Sequence, residues 1–338
     1  MQKGKASIEF ETPPRICGAA SIVGEKEGQG PLGPFFDRVE TDPMLGCKNW
    51  EEAESALQKK TADLVIEKAG TSRKQIRYMF SGDLLGQLIA TSFGTVDLEI
   101  PLFGLYGACS TMGEALCLGA MTVAAGYADQ VLSMASSHFA SAEKQFRFPL
   151  EYGNQRPYSA TWTVTGCGAV ILGCQGEIAK ITGVTVGKIV DMGLKDSMNM
   201  GACMAPAATD LILQNLRDFE RTPEDYDQII TGDLGQVGRQ ILMDFTKSKG
   251  ADLTGRHTDC GIRIFDEEEQ DTHAGGSGCG CSATVLSAYI LPKIQSGEWK
   301  RVLFVPTGAL LSSTSFNEGQ SVPGIAHGVV IEHIGKEG

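Results

Sequence analysis

The sequence predicts an α/β protein made of two duplicated halves, each a mostly buried sheet with helices, packed about a pseudo-twofold axis. Three observations carry this expectation. Short apolar runs alternate with helix-like segments along the chain, the pattern of α/β layers. Four motifs recur in the same order: SGDLLGQ at Ser81 with TGDLGQ at Thr231, ACS at Ala108 with GCS at Gly280, VLSMASS at Val131 with VLFVPTG at Val302, and GCGAVIL at Gly166 with AHGVVIE at Ala326. The partners lie roughly 150–170 residues apart, far beyond a solenoid period. Each half also contains a strand or loop that breaks through a glycine-rich turn into a helix. The expected halves are residues 1–180, with an inserted loop at about 139–160, and residues 181–338.

In chain order, the Gly/Pro-rich segment 28–36 reads as an ordered loop. An amphipathic helix follows, with Trp50, Ala53, Leu57 and Leu64 on one face and Gly70 as its stop. A turn at 71–75 and a strand at 76–80 lead into the loop that carries Asp83. The apolar run 101–106 reads as a buried strand, which turns at Gly107 and Ala108 into a helix ending near Gly126. A strand at 130–135 ends in Ser136, Ser137 and His138, and a long polar and aromatic loop returns to a strand at 163–172. In the second half, Pro206 is placed at the start of a helix running to about residue 219. A strand at 228–230, a helix from about Ser282, and strands at 302–305 and 325–332 complete the chain.

A net charge of −12 argues against a nucleic-acid partner and gives no polybasic route to an anionic membrane. No apolar run is long enough to span a bilayer, and the N-terminal stretch has no signal-peptide core, so a fold without transmembrane segment or signal peptide is expected. The ten cysteines therefore read as thiols, and none has zinc-site spacing, so no metal site is expected. Cys109 stands out because it occupies the strand–helix turn. There the helix dipole and unpaired N–H groups are expected to lower a thiol pKa and to attract an anion. Cys109, with Ser110 and Thr111, is a nucleophile's seat or an anion pocket; the alternative is an ordinary buried thiol.

With a cysteine at this turn, the duplicated architecture resembles the thiolase and ketoacyl-synthase superfamily. That resemblance implies a layered αβαβα fold in which the cysteine is acylated, with His and Asn or His partners from the second half. This chain departs from the pattern. It has Asp233 where one catalytic His is implied, and Ser277, Gly278 and Cys279 where the second partner is implied. Among its five histidines, His273 reaches that slot only across a gap, His257 and His333 read as peripheral, and His327 falls in the closing strand. His138 remains the best pocket candidate, with a loop histidine bonded to backbone as the alternative. The resemblance therefore implies a degenerate, non-catalytic site; the competing reading is an active acyltransferase using Cys109 with His273 or His138 as base.

A narrower resemblance runs nearly end to end. GPLG at Gly30, KNWEEAE at Lys48, YGACST at Tyr106, SSHFASAEKQFRFPLEYGNQRP at Ser136, TVGKIVDMG at Thr185, DYDQIITGDL at Asp225 and AGGSGCGCSA at Ala274 are similar to the stage V sporulation protein AD family of endospore-forming bacteria. That family implies a thiolase-like protein that binds dipicolinic acid rather than turning over an acyl group. It also implies a role in moving dipicolinate, with calcium, into the developing spore. The place implied is the periphery of the inner spore membrane, among the other proteins of the SpoVA operon. No cofactor is implied, and calcium is a candidate companion of the ligand.

Dipicolinate is a flat aromatic dianion, for which the expected donors are the N–H groups from Cys109 to Thr111, the hydroxyls of Ser110, Ser136, Ser137 and Ser277, and His138. Arg147 and Arg156 are candidate carboxylate partners if their loop folds over the cleft, and solvated surface arginines otherwise. Asp83 either holds calcium beside the ligand or braces its loop, and bracing is the favoured reading. Superfamily members pair through the strand before the nucleophile turn, so a homodimer through 101–106 is expected.

Overall fold

The computed structural model of the chain describes residues 1–146 and 155–335. Its frame is a path of ten strands that falls into two sets of the same topology. The first set is β1 (Arg15–Gly24), β2 (Tyr78–Gly82), β3 (Leu102–Gly104), β4 (Gln130–Ser137) and β5 (Gly166–Gly173). The second is β6 (Ala179–Thr185), β7 (Gln228–Thr231), β8 (His257–Asp259), β9 (Arg301–Val305) and β10 (Gly328–Glu332). From the centre outward the orders are β1-β5-β4-β2-β3 and β6-β10-β9-β7-β8, so both sets run first, fifth, fourth, second, third. In each, the fifth strand is antiparallel to its neighbours and the outer three are parallel. The sets meet where Ala179 and Lys180 pair with Ile16 and Arg15.

Side-chain alternation sorts these strands into layers. On β4, Val131 and Ala135 face the central core, whereas Leu132 and Met134 face the outer helix α1 (Trp50–Lys68). On β9, Val302 and Phe304 face the centre, whereas Leu303 and Val305 pack with α4 (Met200–Asp218). Between the sheets lie α2 (Thr111–Ala124) and α6 (Cys279–Val285), buried through Met112, Leu116, Cys281 and Ala283. The result is a layered αβαβα core. Each large apolar side chain fully buried in it, such as Leu57 or Leu116, contributes about 1.5–3 kcal/mol.

Three local expectations are corrected. Pro206 lies inside α4, which starts at Met200 under a cap from Asn199, whose side chain accepts a bond from Ala202 N at 3.3 Å. Burial of Met204, Ala205 and Ala208 on the same helix outweighs the local cost of proline, about 3 kcal/mol. The segment expected as a loop from 139 begins as a helix, α3 (Phe139–Phe146). Its Ser141 hydroxyl bonds the buried Glu54 carboxylate at 2.7 Å, a tertiary anchor that a polar sequence does not advertise. The apolar run around β3 is an edge rather than a buried strand, with Leu102 40% and Phe103 52% exposed, because β3 pairs only with β2. Apolar composition alone does not separate a strand covered by its own chain from one left open.

Helix α6 crosses the first-half sheet so closely that a Cβ at Gly168 would come within 2.2 Å of the Ala283 carbonyl. Gly168→Ala is expected to destabilise the fold by about 1–3 kcal/mol, the usual cost of overpacking, measured by urea unfolding followed by circular dichroism.

Candidate active site

Cys109 sits in a single 3-10 turn, Ala108–Ser110, between β3 and α2. Ala108 adopts φ +49°, a left-handed conformation that costs a non-glycine residue about 1–2 kcal/mol and makes the turn sharp. The turn consumes its own hydroxyls. Ser110 Oγ donates to Gly107 O at 2.7 Å, and Thr111 Oγ1 donates to Ala108 O at 2.7 Å while accepting from Gly107 N. Ser110, expected to meet a ligand, is fully buried in this role.

The thiol points at the second half. Cys109, 5% exposed, faces the carboxyl of Asp233, which follows β7. Asp233 Oδ1 also accepts from Thr307 Oγ1 at 2.9 Å, and Oδ2 accepts from Gly278 N at 2.9 Å. Gly278, at φ +101°, makes the turn into α6, where a Cβ would sit 2.6 Å from Ser137 Oγ. Burial holds Asp233 up at about 7, and burial followed by the Asp233 charge pushes Cys109 well above the ordinary thiol value. The lowered thiol pKa expected from the helix start is overturned. Desolvation and a facing carboxyl outweigh the dipole of one helix end.

The pocket beside Cys109 is lined mainly by Leu84, Tyr106, Phe146, Met200 and Leu311, with Thr163 and Ser277 as its hydroxyls. Its free volume is about 30 Å³, room for one water. No Lys, Arg or His lines it among the described residues. Ser277 is therefore the expected site residue, besides Cys109, that the structure does bring here.

The others lie elsewhere. Asp83 braces its loop, accepting from Leu85 N at 2.8 Å, Thr91 N at 2.7 Å and Thr91 Oγ1 at 2.6 Å. Ser136 Oγ donates to Glu54 Oε1 and accepts from Gln58, and Ser137 Oγ donates to Val164 O. His138 is corrected from pocket base to structural histidine. Its Nε2 meets Pro43 O at 2.8 Å, burial lowers its pKa, and it lines a different cavity. His273 bonds Pro157 O at the surface beside Asp271. His257, expected at the periphery, is buried in β8 with Nε2 on Thr231 Oγ1 at 3.0 Å. Arg156 donates to Asp271 O and lies over Trp162, and Arg147 is outside the described residues. No group of three or more His, Cys, Asp or Glu side chains is placed to hold a metal among the described residues.

Comparison with known proteins fits this geometry to a family. The Stage V sporulation protein AD family profile matches residues 4–332. Stage V sporulation protein AD of Bacillus subtilis (strain 168) is 42% identical over 332 residues, covering 98% of each chain. The chain belongs to the stage V sporulation protein AD family. Membership places it among proteins of spore formation. In fold it resembles 3-oxoacyl-[acyl-carrier-protein] synthase III from Aquifex aeolicus VF5, at 12% identity and a TM-score of 0.58 over 95% of this chain and 100% of that one. An OleA variant from Xanthomonas campestris matches at 12% identity and a TM-score of 0.60 over 96% and 98%. The fold is thiolase-like.

Sequence reasoning missed two parts of the site. Glu143 and Phe146 line the Cys109 pocket from α3, a helix where the sequence predicts a loop. The signal was available in the helical spacing of Phe139, Ala142, Glu143 and Phe146. The meeting of Cys109 with Asp233 had no local signal, since only the packed halves create it.

An acid whose pKa rises on folding supports the fold fully only below its unfolded value and loses that support as pH rises through the folded value. For Asp233 the window runs from about 4 to about 7. Stability is expected to fall across that range by an amount on the order of 2–4 kcal/mol. Urea unfolding at several pH values checks this, and Asp233→Asn should flatten the fall.

Proposed function

We propose that this protein binds dipicolinic acid without acyl turnover and serves the uptake of dipicolinate, with calcium, into the developing spore. The observation that carries the non-catalytic half is the Cys109–Asp233 contact. A nucleophilic thiol needs a base that accepts its proton and donors that hold an oxyanion. Asp233 instead adds a negative charge beside the sulfur, and no histidine lines the pocket among the described residues. The ligand half rests on family membership and on the chemistry of the lining. Leu84, Phe146 and Met200 suit a flat ring, while the hydroxyls of Thr163 and Ser277 supply donors to carboxylates. With about 30 Å³ free, the ligand enters only when the α3 side chains move aside.

The apolar lining is also the observation that favours a second reading, acyl transfer from Cys109. Intact mass after incubation with acyl-CoA separates the two, since an adduct that depends on Cys109 and turns over contradicts the binding-only reading. Calorimetric titration with dipicolinate, with and without calcium, tests the binding itself. Cys109→Ala keeps every backbone donor and is expected to weaken binding by about 1 kcal/mol or less.

We further propose that the protein is a homodimer through β3. Leu102 and Phe103 are exposed on β3, an unpaired apolar edge that a second copy would cover. No described helix is long and apolar enough to cross a membrane, so attachment to the spore membrane is assigned to the other proteins of the SpoVA operon. Phe103→Glu should convert a dimer to a monomer in sedimentation at micromolar concentration. A wild-type monomer under those conditions contradicts the assignment.

A further inference from the structure

Seven of the ten cysteines are buried, whereas Cys174 is exposed and Cys17 and Cys47 are half-buried. Cys17 lies on β1 where its register with β5 shifts, between Ile16 and Gly18. A bulge of this kind carries an unpaired residue and re-aims its side chain. Here the sulfur is aimed at the end of β5. Its Sγ donates to Gln175 O at 2.7 Å, and a Cβ on Gly173 would stand 2.9 Å from it. At Gly176 a Cβ would be 3.0 Å from Cys17 N. The segment from Gly173 to Gly176 thus wraps the Cys17 side chain, and Cys174 lies within that wrap. Burial, and after it the Cys174 charge, push the Cys17 thiol up to about 11, an effect that needs the two sulfurs close together. Cys174 also borders a cavity of about 620 Å³, with Lys74, Arg77, Tyr127 and Asp129 in its lining. That is room for a small organic disulfide, and Lys74 and Arg77 suit one that carries carboxylates.

We propose that Cys17 and Cys174 form a reversible disulfide with each other, made by exchange with a small organic disulfide that enters the cavity at Cys174. The Cys174 thiolate attacks one sulfur of the reagent, which gives a mixed disulfide and releases one reagent thiolate. Cys17 then loses its proton to solvent and attacks the Cys174 sulfur, releasing the second reagent thiolate. In sum the two cysteines lose two protons and two electrons, and the reagent takes them up as two thiols. Exposure makes Cys174 the first attacker, and burial makes Cys17 the resolving partner. The bond ties β1 to the end of β5, beside the seam where Ile16 pairs with Ala179. It closes most of the first half into a covalent ring, with the two sulfurs 174 − 17 = 157 positions apart. A ring of that length restricts the unfolded chain, so the oxidation state sets how firmly the first half is held.

The full native chain is incubated with oxidised glutathione, the remaining thiols are blocked with N-ethylmaleimide, and unreduced digests are read by mass spectrometry. The wild type is expected to lose two free thiols and to yield a Cys17 peptide joined to a Cys174 peptide, a link that dithiothreitol reverses. Cys17→Ser, which keeps a donor for Gln175 O, should stop at the mixed disulfide on Cys174. Cys174→Ser should leave Cys17 reduced. A wild-type protein that keeps glutathione on Cys174 while Cys17 is blocked by maleimide overturns the pairing. So does a link from either residue to another cysteine, a link that forms only in urea, or no reaction at Cys174.

Discussion

The interaction on which the centre of the molecule depends is the buried carboxyl of Asp233. It accepts from Thr307 after β9 and from the Gly278 turn that launches α6, and it faces Cys109 at the turn before α2. One side chain thereby stands between the Cys109 turn of the first half and the corresponding turn of the second, at the place where a duplicated fold brings them together. The same placement fixes the chemistry. Burial first, and then the facing Asp233 carboxyl, keep the sulfur protonated. The thiol therefore sits buried in a thiolase-like fold, with its pKa raised.

A second buried network sets the wall that α3 gives the Cys109 pocket. Glu54, on α1, accepts from Ser136 at the end of β4 and from Ser141 on α3. Gln58, one turn along α1, donates to Ser136 and to Thr91, and Thr91 donates to Asp83. Burial and the nearby Asp83 charge push Glu54 upward, and burial raises Asp83. The position of α3, and with it the shape of the pocket, is tied through this chain to the outer helix layer.

These networks explain which features were legible in the sequence. The duplication was visible because SGDLLGQ and TGDLGQ mark strand ends, where both copies need a turn and a carboxyl bracing it. The absence of a histidine at Asp233 was equally plain. What failed was inference from local context. A helix start argues for a reactive Cys109, but its reactivity is decided by burial and by a residue more than a hundred positions away. His138 follows a strand that does point toward the centre, yet Pro43 claims its imidazole from an unrelated loop. The segment after it looked irregular because its anchor, Glu54, lies far back on α1.

The raised pKa of the Cys109 thiol is tested most directly by its own reactivity. Alkylation of native protein with iodoacetamide from about pH 6 to about pH 10, with Cys109 followed by peptide mass spectrometry, reads the thiolate population. A protonated thiol predicts that modification of Cys109 stays slow at neutral pH and rises only at the alkaline end, without a neutral plateau. Rapid, pH-independent alkylation of Cys109 at and below pH about 7 would mean a standing thiolate and would contradict it.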